Sequence, residues 1–393
     1  MQNIIRLFTK ITFLIGFYSI SFLGYAQEHS LSPAAEQLEE YLPLLNQKRV
    51  GLVAHAASQL YTLQKSTHLV DTLLARNVKL VKIFAPEHGF RSREDNGAII
   101  KDELDSLTQL PIISLHGKNK KPQAQHLENI DVLLFDLQDV GARFYTYLST
   151  LHLTMEACAE NNISLILLDR PNPNGHYVDG PVMEDAYKGY LGMHNIPIVH
   201  GLTLGEFANM INGEKWLAGE AQCDLTVIKI KGYTHSTSYD LPVRPSPNLP
   251  NATAINLYPS LCLFEQTPVS IGRGTEQQFQ RYGHPYFQET FSFIPKPNFG
   301  AKKPKLQGQK CFGENLVSHP RLDKLELKWL LKAYHHYPEK ENFFKKGFVK
   351  LAGTKSLQEQ IEKGWSEEEI RRSWEPELSA FKAIRKKYLL YPN

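Results

Sequence analysis

The sequence predicts a doubly wound, parallel α/β sheet followed by a second, smaller α/β domain. Short apolar runs alternate with segments of helical period as far as Ile230, the pattern of strands joined by crossover helices. The runs are mostly apolar, as strands covered on both faces are. Beyond them Pro242, Pro245, Pro247, Pro250 and Pro259 lie close together and mark a crossing between domains or a long ordered loop. The expected organisation is a leader over 1–26, a first domain over 27–250 and a smaller one over 251–393.

In order, Pro33 to Leu42 reads as a short acidic helix and Arg49 to Ala54 as the first strand. Thr67 to Arg76 has helical period, and Lys79 to Ala85 is a strand that stops at Pro86 and Gly89, which release the chain into a loop. Strands follow at Pro111 to Leu115, Val132 to Asp136 and Ser164 to Leu168, with a helix from Thr146 to Glu160 between the last two. Thr203 and Glu206 have capping-box spacing at the head of a helix reaching Leu217, and Leu225 to Ile230 is a further strand. Near the C-terminus, Ser356 to Lys363 is a helix stopped by Gly364, and Ser366 with Glu369 opens another. Its stripe of Ile370, Trp374, Leu378, Phe381 and Tyr388 is a packing face, with a kink or break expected at Pro376.

Arg6 and Lys10 precede an apolar run, Ile11 to Leu23, that closes on Gly24, Tyr25 and Ala26, the pattern of a secretory signal peptide cleaved after Ala26. The run is short for a membrane anchor and is interrupted by Ser19 and Ser21. An exported chain, periplasmic or secreted, is expected, with no membrane association after cleavage. Losing Arg6 and Lys10 takes the formal charge from +3 to +1, so no global attraction to nucleic acid is expected. Cys158, Cys223, Cys262 and Cys311 are widely spaced, which allows up to two disulfides or buried thiols and argues against zinc. Oligomeric state leaves no mark on the sequence.

A doubly wound sheet gathers the residues just past its strands into one crevice. Those residues are His55 and Ser58; Glu87, His88 and Arg91; His116 and Gly117; Asp136, Gln138, Asp139 and Arg143, followed by Tyr145 and Tyr147; and Asp169, Arg170, Asn172 and Asn174. Each has a structural alternative as a cap, turn residue or ion-pair partner. Glu87 stands apart, because a proline before it and His-Gly after it offer no capping role. The first turn, HAASQL, has no GxGxxG, and neither a P-loop nor GxSxG occurs. GRGT at 272–275 is too short and too far from the first strand to cradle phosphate. His88, Asp136, Asp139 and His200 lack paired metal-ligand spacing, so neither metal nor organic cofactor is expected. What remains is carboxylate chemistry in a cleft rich in Asn, Gln, Arg and Tyr, as sugar hydrolysis requires.

The stretches RVGLVAHAASQ, FAPEHGFR, LLFDLQDVGARFYTYLSTL, LLDRPNPNG with VDGPV, VHGLTLGEF, RPSPNLP and LYPSLCLFEQTPVSIGRGT resemble, in this order, the exo-β-N-acetylmuramidases of the NamZ type. The resemblance covers nearly all of the chain after the leader. It implies a Rossmann-like domain, a smaller C-terminal domain closing the cleft, and removal of terminal N-acetylmuramic acid from peptidoglycan fragments. It also implies that Glu87 of the PEHG motif is the general acid, with His88 beside it. Asp136 is the first choice for the second carboxylate, with Asp139, Asp169 and Glu265 behind it. The lactyl carboxylate of muramic acid calls for an arginine fork, for which Arg91, Arg143, Arg170 and Arg273 are candidates. Gln138, Asn172, Asn174 and Asn248 are candidates for hydroxyls and the acetamido group, and Tyr145 or Tyr147 for the ring face. The family's frequent Thr-Asn pair is replaced by HAAS, so no sugar-binding role carries over to His55 or Ser58. A non-catalytic muropeptide-binding protein and a glycosidase for another N-acetyl sugar are the alternatives. Retaining, inverting and substrate-assisted routes stay open, because carboxyl separation decides between the first two.

Overall fold

The computed structural model describes residues 31–62, 65–87, 89–90, 103–117 and 119–393. The leader, His88 and Arg91 lie outside the described residues. After helix Leu38–Leu45 come β1 (Val50–Ala54), a hairpin of β2 (Gln59–Thr62) and β3 (Lys65–His68), and helix Leu69–Ala75. β4 (Leu80–Ala85), β5 (Glu103–Leu104), β6 (Pro111–Ser114) and β7 (Val132–Asp136) follow, then helix Tyr147–Glu160 and β8 (Ser164–Leu168). β9 (Asp179–Val182) and β10 (Pro197–Val199) pair as an antiparallel ribbon, and helix Leu204–Gly213 leads to β11 (Leu225–Ile228). Helix Ala252–Leu261 precedes a separate antiparallel sheet of β12 (Arg281–His284), β13 (Phe291–Phe293) and β14 (Cys311–Asn315). Four helices close the chain: Lys328–His336, Phe348–Ala352, Ser356–Glu362 and Glu367–Arg385.

The main sheet has the order β11-β8-β7-β1-β4-β6-β5. All its pairs are parallel except β5 with β6, so the expected parallel sheet carries an antiparallel edge. From β1 the chain builds outward through β4 and β6 on one side and through β7, β8 and β11 on the other. That reversal opens a crevice beyond the carboxyl ends of β1, β4 and β7.

Strand side chains divide between two cores. Leu52, Ile83, Leu134, Ile166 and Leu168 pack with Tyr41, Leu69 and Leu73 on one face. Val53, Phe84, Leu133, Phe135 and Leu167 pack with Leu151 and Met155 of helix Tyr147–Glu160 and with Phe207 and Met210 on the other. Period-two alternation within mostly apolar strands produces this sandwich. Gly51 is required by packing, since a Cβ there would stand 2.7 Å from Leu133 Cδ1 and 2.8 Å from Ile130 Cδ1. The second core continues through Leu249 and Leu261 to Trp329, Phe348 and Phe381, so residues on both sides of position 250 share one apolar interior.

Some expected boundaries move. The helix expected from Thr67 begins at Leu69, because the preceding residues pair in the hairpin. The helix from Leu204 stops at Gly213, and Asn212 turns its side chain to the backbone of Cys223. Helix Glu367–Arg385 runs unbroken through Pro376, which is exposed, while Ile370, Trp374, Leu378 and Phe381 stay buried on the opposite stripe. Packing of that stripe outweighs the single backbone hydrogen bond that a proline removes. The capping boxes Thr203/Glu206 and Ser366/Glu369 are both formed.

Candidate active site

Glu87 lies two residues past β4, at the crevice where the strand order reverses. Its Oε2 accepts the Thr146 hydroxyl at 3.0 Å. The backbone beneath it rests on a buried relay. Gln138 N–H donates to His55 Nε2 at 3.0 Å, so the neutral ring carries its proton on Nδ1 and faces the Tyr147 hydroxyl at 3.1 Å. Tyr147 in turn donates to the Glu87 carbonyl at 3.3 Å. His55 and Tyr147 are each only 1% exposed, and burial raises the Tyr147 phenol well above its ordinary value, so it acts as a neutral donor.

A cavity of about 280 Å³ opens beside Glu87. Its sheet-side wall is Glu87, Tyr145, Thr146, Ser246 and Asn248; its other wall is Tyr258, Cys262, Glu265, Gln266, Arg273 and Phe279. Glu265 stands on a single 3-10 helix, Cys262–Gln266, that continues helix Ala252–Leu261. Arg273 Nε and Nη2 both reach Glu265 Oε1 at 2.6 Å. The guanidinium also lies 5.1 Å from the Phe279 ring centroid. Burial acts against the Arg273 charge, but Glu265 more than offsets it and the guanidinium is held above its ordinary value. GRGT forms the turn presenting this arginine: Gly272 and Gly274 have φ of 76° and 77°, which side-chain-bearing residues rarely adopt.

The structure brings together Glu87, Tyr145, Asn248, Glu265 and Arg273 from the residues expected at the site. Tyr145 donates its hydroxyl to the Pro245 carbonyl at 2.7 Å, and Asn248 gives its amide to the Gly300 carbonyl at 2.6 Å. Other expected residues are scaffold. Asp136, the first choice for the second carboxylate, is fully buried with its oxygens 2.6 and 2.9 Å from Arg170 Nε and Nη2. That bidentate pair removes both Asp136 and Arg170 from the cavity lining. Arg143 is 1% exposed and spends Nη1 and Nη2 on the carbonyls of Pro181, Ile196, Leu351 and Ala352, tying the β9–β10 ribbon to helix Phe348–Ala352. Burial pulls this guanidinium down to about 9.

Asp169 accepts from Thr203, Gly205 and Tyr391, and burial pushes its carboxyl up to about 6. Asp139 caps Gly141 N–H at 2.7 Å with His200 3.6 Å away. Gln138 bridges the carbonyls of Asp139 and Pro171, and Asn172 holds Leu202 O and Asn174 N. Thr146, Tyr258 and Gln266 belong to the lining yet escape a search of strand ends. The signal that could have found them is adjacency, since Thr146 stands inside FYTY and Gln266 follows Glu265 in LFEQTP. Among the described residues no three His, Cys, Asp or Glu side chains form a metal-holding group, and the four cysteines are buried thiols.

Fold and cavity together define a Rossmann-like α/β protein with a smaller C-terminal part, whose acidic pocket lies between the carboxyl edge of the sheet and residues 258–279. The chain belongs to the exo-β-N-acetylmuramidase NamZ family: the model of its N-terminal domain matches residues 50–253 and that of its C-terminal domain residues 256–391. It is 39% identical over 378 residues to the peptidoglycan β-N-acetylmuramidase NamZ of Bacillus subtilis (strain 168), covering 90% of this chain and 89% of that protein. Two crystal structures of DUF1343 family proteins from Bacteroides fragilis NCTC 9343 share the fold. One has a TM-score of 0.85 at 44% identity and the other 0.79 at 29%, each over 92% of this chain and 99% of the other.

Proposed function

We propose that this chain is an exported, exo-acting glycoside hydrolase that releases terminal N-acetylmuramic acid from peptidoglycan fragments, with Glu87 as general acid. The observation carrying this is the cavity in which Glu87, Glu265 and Arg273 are gathered, in a family whose Bacillus subtilis member is a peptidoglycan β-N-acetylmuramidase. Glycoside cleavage needs one carboxyl to protonate the departing oxygen and a second to assist the anomeric centre. Thr146 occupies Glu87 Oε2, so Oε1 carries the proton that is transferred. With Asp136, Asp139 and Asp169 engaged in the scaffold, Glu265 is the second carboxylate.

A space of about 280 Å³ holds one substituted sugar ring rather than a length of chain, which suits removal of a terminal residue. Arg273 turns Nε and Nη2 to Glu265, and its Nη1 receives the lactyl carboxylate. Tyr145, its hydroxyl fixed by Pro245, offers its ring to the sugar face. Substrate is a muramic-acid-terminated saccharide; neither nucleic acid nor membrane is a partner. Export rests on the Arg6/Lys10 and Ile11 to Leu23 pattern, with the periplasm or the exterior as destination. An intact mass for the exported chain that begins at Gln27 supports it, and one that retains residues 1–26 rules out cleavage.

The decisive experiment is Glu87→Gln on a chromogenic N-acetylmuramic acid glycoside. The expected loss in kcat is about 10²- to 10⁴-fold, with the circular dichroism spectrum unchanged. Unaltered turnover removes Glu87 as the acid.

A further inference from the structure

Lys305 belongs to the loop between β13 and β14, away from every strand-end cluster, and it does not line the cavity. Its ammonium nevertheless reaches four backbone carbonyls of the segment that carries Glu265. The distances are 3.0 Å to Phe264 O, 3.4 Å to Glu265 O, 2.7 Å to Thr267 O and 3.0 Å to Val269 O. Helix Ala252–Leu261 and the 3-10 turn Cys262–Gln266 run on from one another, so these carbonyls gather at the negative end of a continuous helical segment. A cation there adds a charge-assisted donor to carbonyls at and just beyond the helix end, of which Phe264 O also accepts the Thr267 N–H and hydroxyl. Burial pulls the Lys305 ammonium down to about 8, with Glu265 the main influence the other way. An apolar side chain would fill this space without that desolvation cost, so the charge calls for a reason beyond packing.

The carbonyls it holds bracket both charged members of the far wall. Glu265 is inside the clamped segment, and Val269 lies three residues before the Gly272–Thr275 turn that presents Arg273. Glu265 is also the only carboxylate besides Glu87 in the cavity lining, among the described residues.

We propose that Lys305 is a positioning residue for Glu265: its ammonium fixes the 264–269 backbone so that the Glu265 carboxylate is held against Arg273 in the geometry turnover requires. The inference rests on Glu265 being the second carboxylate of the proposed hydrolase. Lys305 touches no reacting atom; it acts through the backbone it holds, with a Coulombic attraction to the Glu265 carboxylate beside it.

The test is a double-mutant cycle on the full chain, with kcat and KM measured on the muramic acid glycoside for Lys305→Met, Glu265→Gln and the double variant. Displacing a catalytic group by even about 1 Å costs on the order of 10²-fold, and that loss is expected in kcat for Lys305→Met, with KM changed far less. Added to Glu265→Gln, Lys305→Met should cost almost nothing further, because residues acting as one unit are not additive. Lys305→Gln keeps donors without the charge and should fall between, which covers the case of a Met variant that does not fold.

Full additivity overturns the proposal and leaves Glu265 in place. A loss in Lys305→Met with none in Glu265→Gln overturns both the positioning role and the second carboxylate. Should wild type bind N-acetylmuramic acid without hydrolysis, the same cycle read by calorimetry decides, and additive affinities sink the proposal. Absence of both binding and hydrolysis in wild type overturns the functional proposal and this one together.

Discussion

Glu87 and Glu265 line one cavity from walls of different construction. On the sheet side, among the described residues, the carboxylates Asp136, Asp139 and Asp169 and the guanidiniums Arg143 and Arg170 are consumed by the scaffold, whereas Glu87 is not. Asp136 and Arg170 neutralise each other at 0% and 5% exposure, and Arg143 is spent on four carbonyls. On the other side the charges are few and half-open: the Glu265 and Arg273 side chains keep 26% and 20% of their surface. A bidentate ion pair in the interior fixes where strands end, because breaking it strands a charge without water. The same pair at a cavity wall keeps an unused edge for a ligand. Burial, rather than residue type, separates framework from chemistry here.

That contrast can be broken by substitution. Glu87→Gln and Asp136→Asn alter carboxyl groups at the ends of β4 and β7, the two parallel strands that flank β1, and should fail in opposite ways. The first removes turnover and leaves stability alone. The second leaves Arg170 as a buried, uncompensated charge and should cost about 3–5 kcal/mol, read as a fall in the urea midpoint. An Asp136→Asn protein with wild-type stability but no turnover would return Asp136 to the reacting groups.

Arg273→Lys tests the opposite wall. A point charge replaces a planar fork that also packs on Phe279, so KM for the muramic acid glycoside should rise by about 10-fold, at roughly 1.4 kcal/mol per decade, the scale of one charge-assisted hydrogen bond. The matching N-acetylglucosamine glycoside, which lacks the lactyl group, should be far less affected. Equal effects on both would detach Arg273 from lactyl recognition.

The last effect is read against pH and concerns Asp169. Its folded value is raised to about 6 by burial, so between the ordinary carboxylate value near 4 and that point the folded chain keeps a proton that the unfolded chain has lost. Its contribution to stability is therefore complete below about pH 4 and is lost as pH rises through about 6. Asp169→Asn should flatten that part of the profile of urea midpoint against pH. An identical slope in both proteins would show that Asp169 does not titrate there.

Much of the framework was legible in the chain. β7 and β8 fall where their apolar runs begin and end, and both capping boxes form as their spacing implies. Glu87 emerged from its surroundings, a carboxylate after a buried strand with no turn or cap to serve. The second carboxylate did not. Asp136 carries the same local signal as Asp139 and Asp169, and nothing near it announces Arg170, which is 34 positions away. Arg143 looked like an anion receptor until residues 208 and 209 positions further on supplied the carbonyls that occupy it.

The sequence by itself determined the parallel strands of the main sheet, most of the helices that cover them and the edge where polar residues collect, because periodicity, caps and turn chemistry act over a few residues. Only the tertiary structure decided which of those polar residues meet a ligand. Burial and long-range pairing set whether a carboxylate is a strut or a reagent, and both depend on distant segments packed against it. For this chain the C-terminal part supplies Glu265 and Arg273 to the cavity and closes Arg143 away from it.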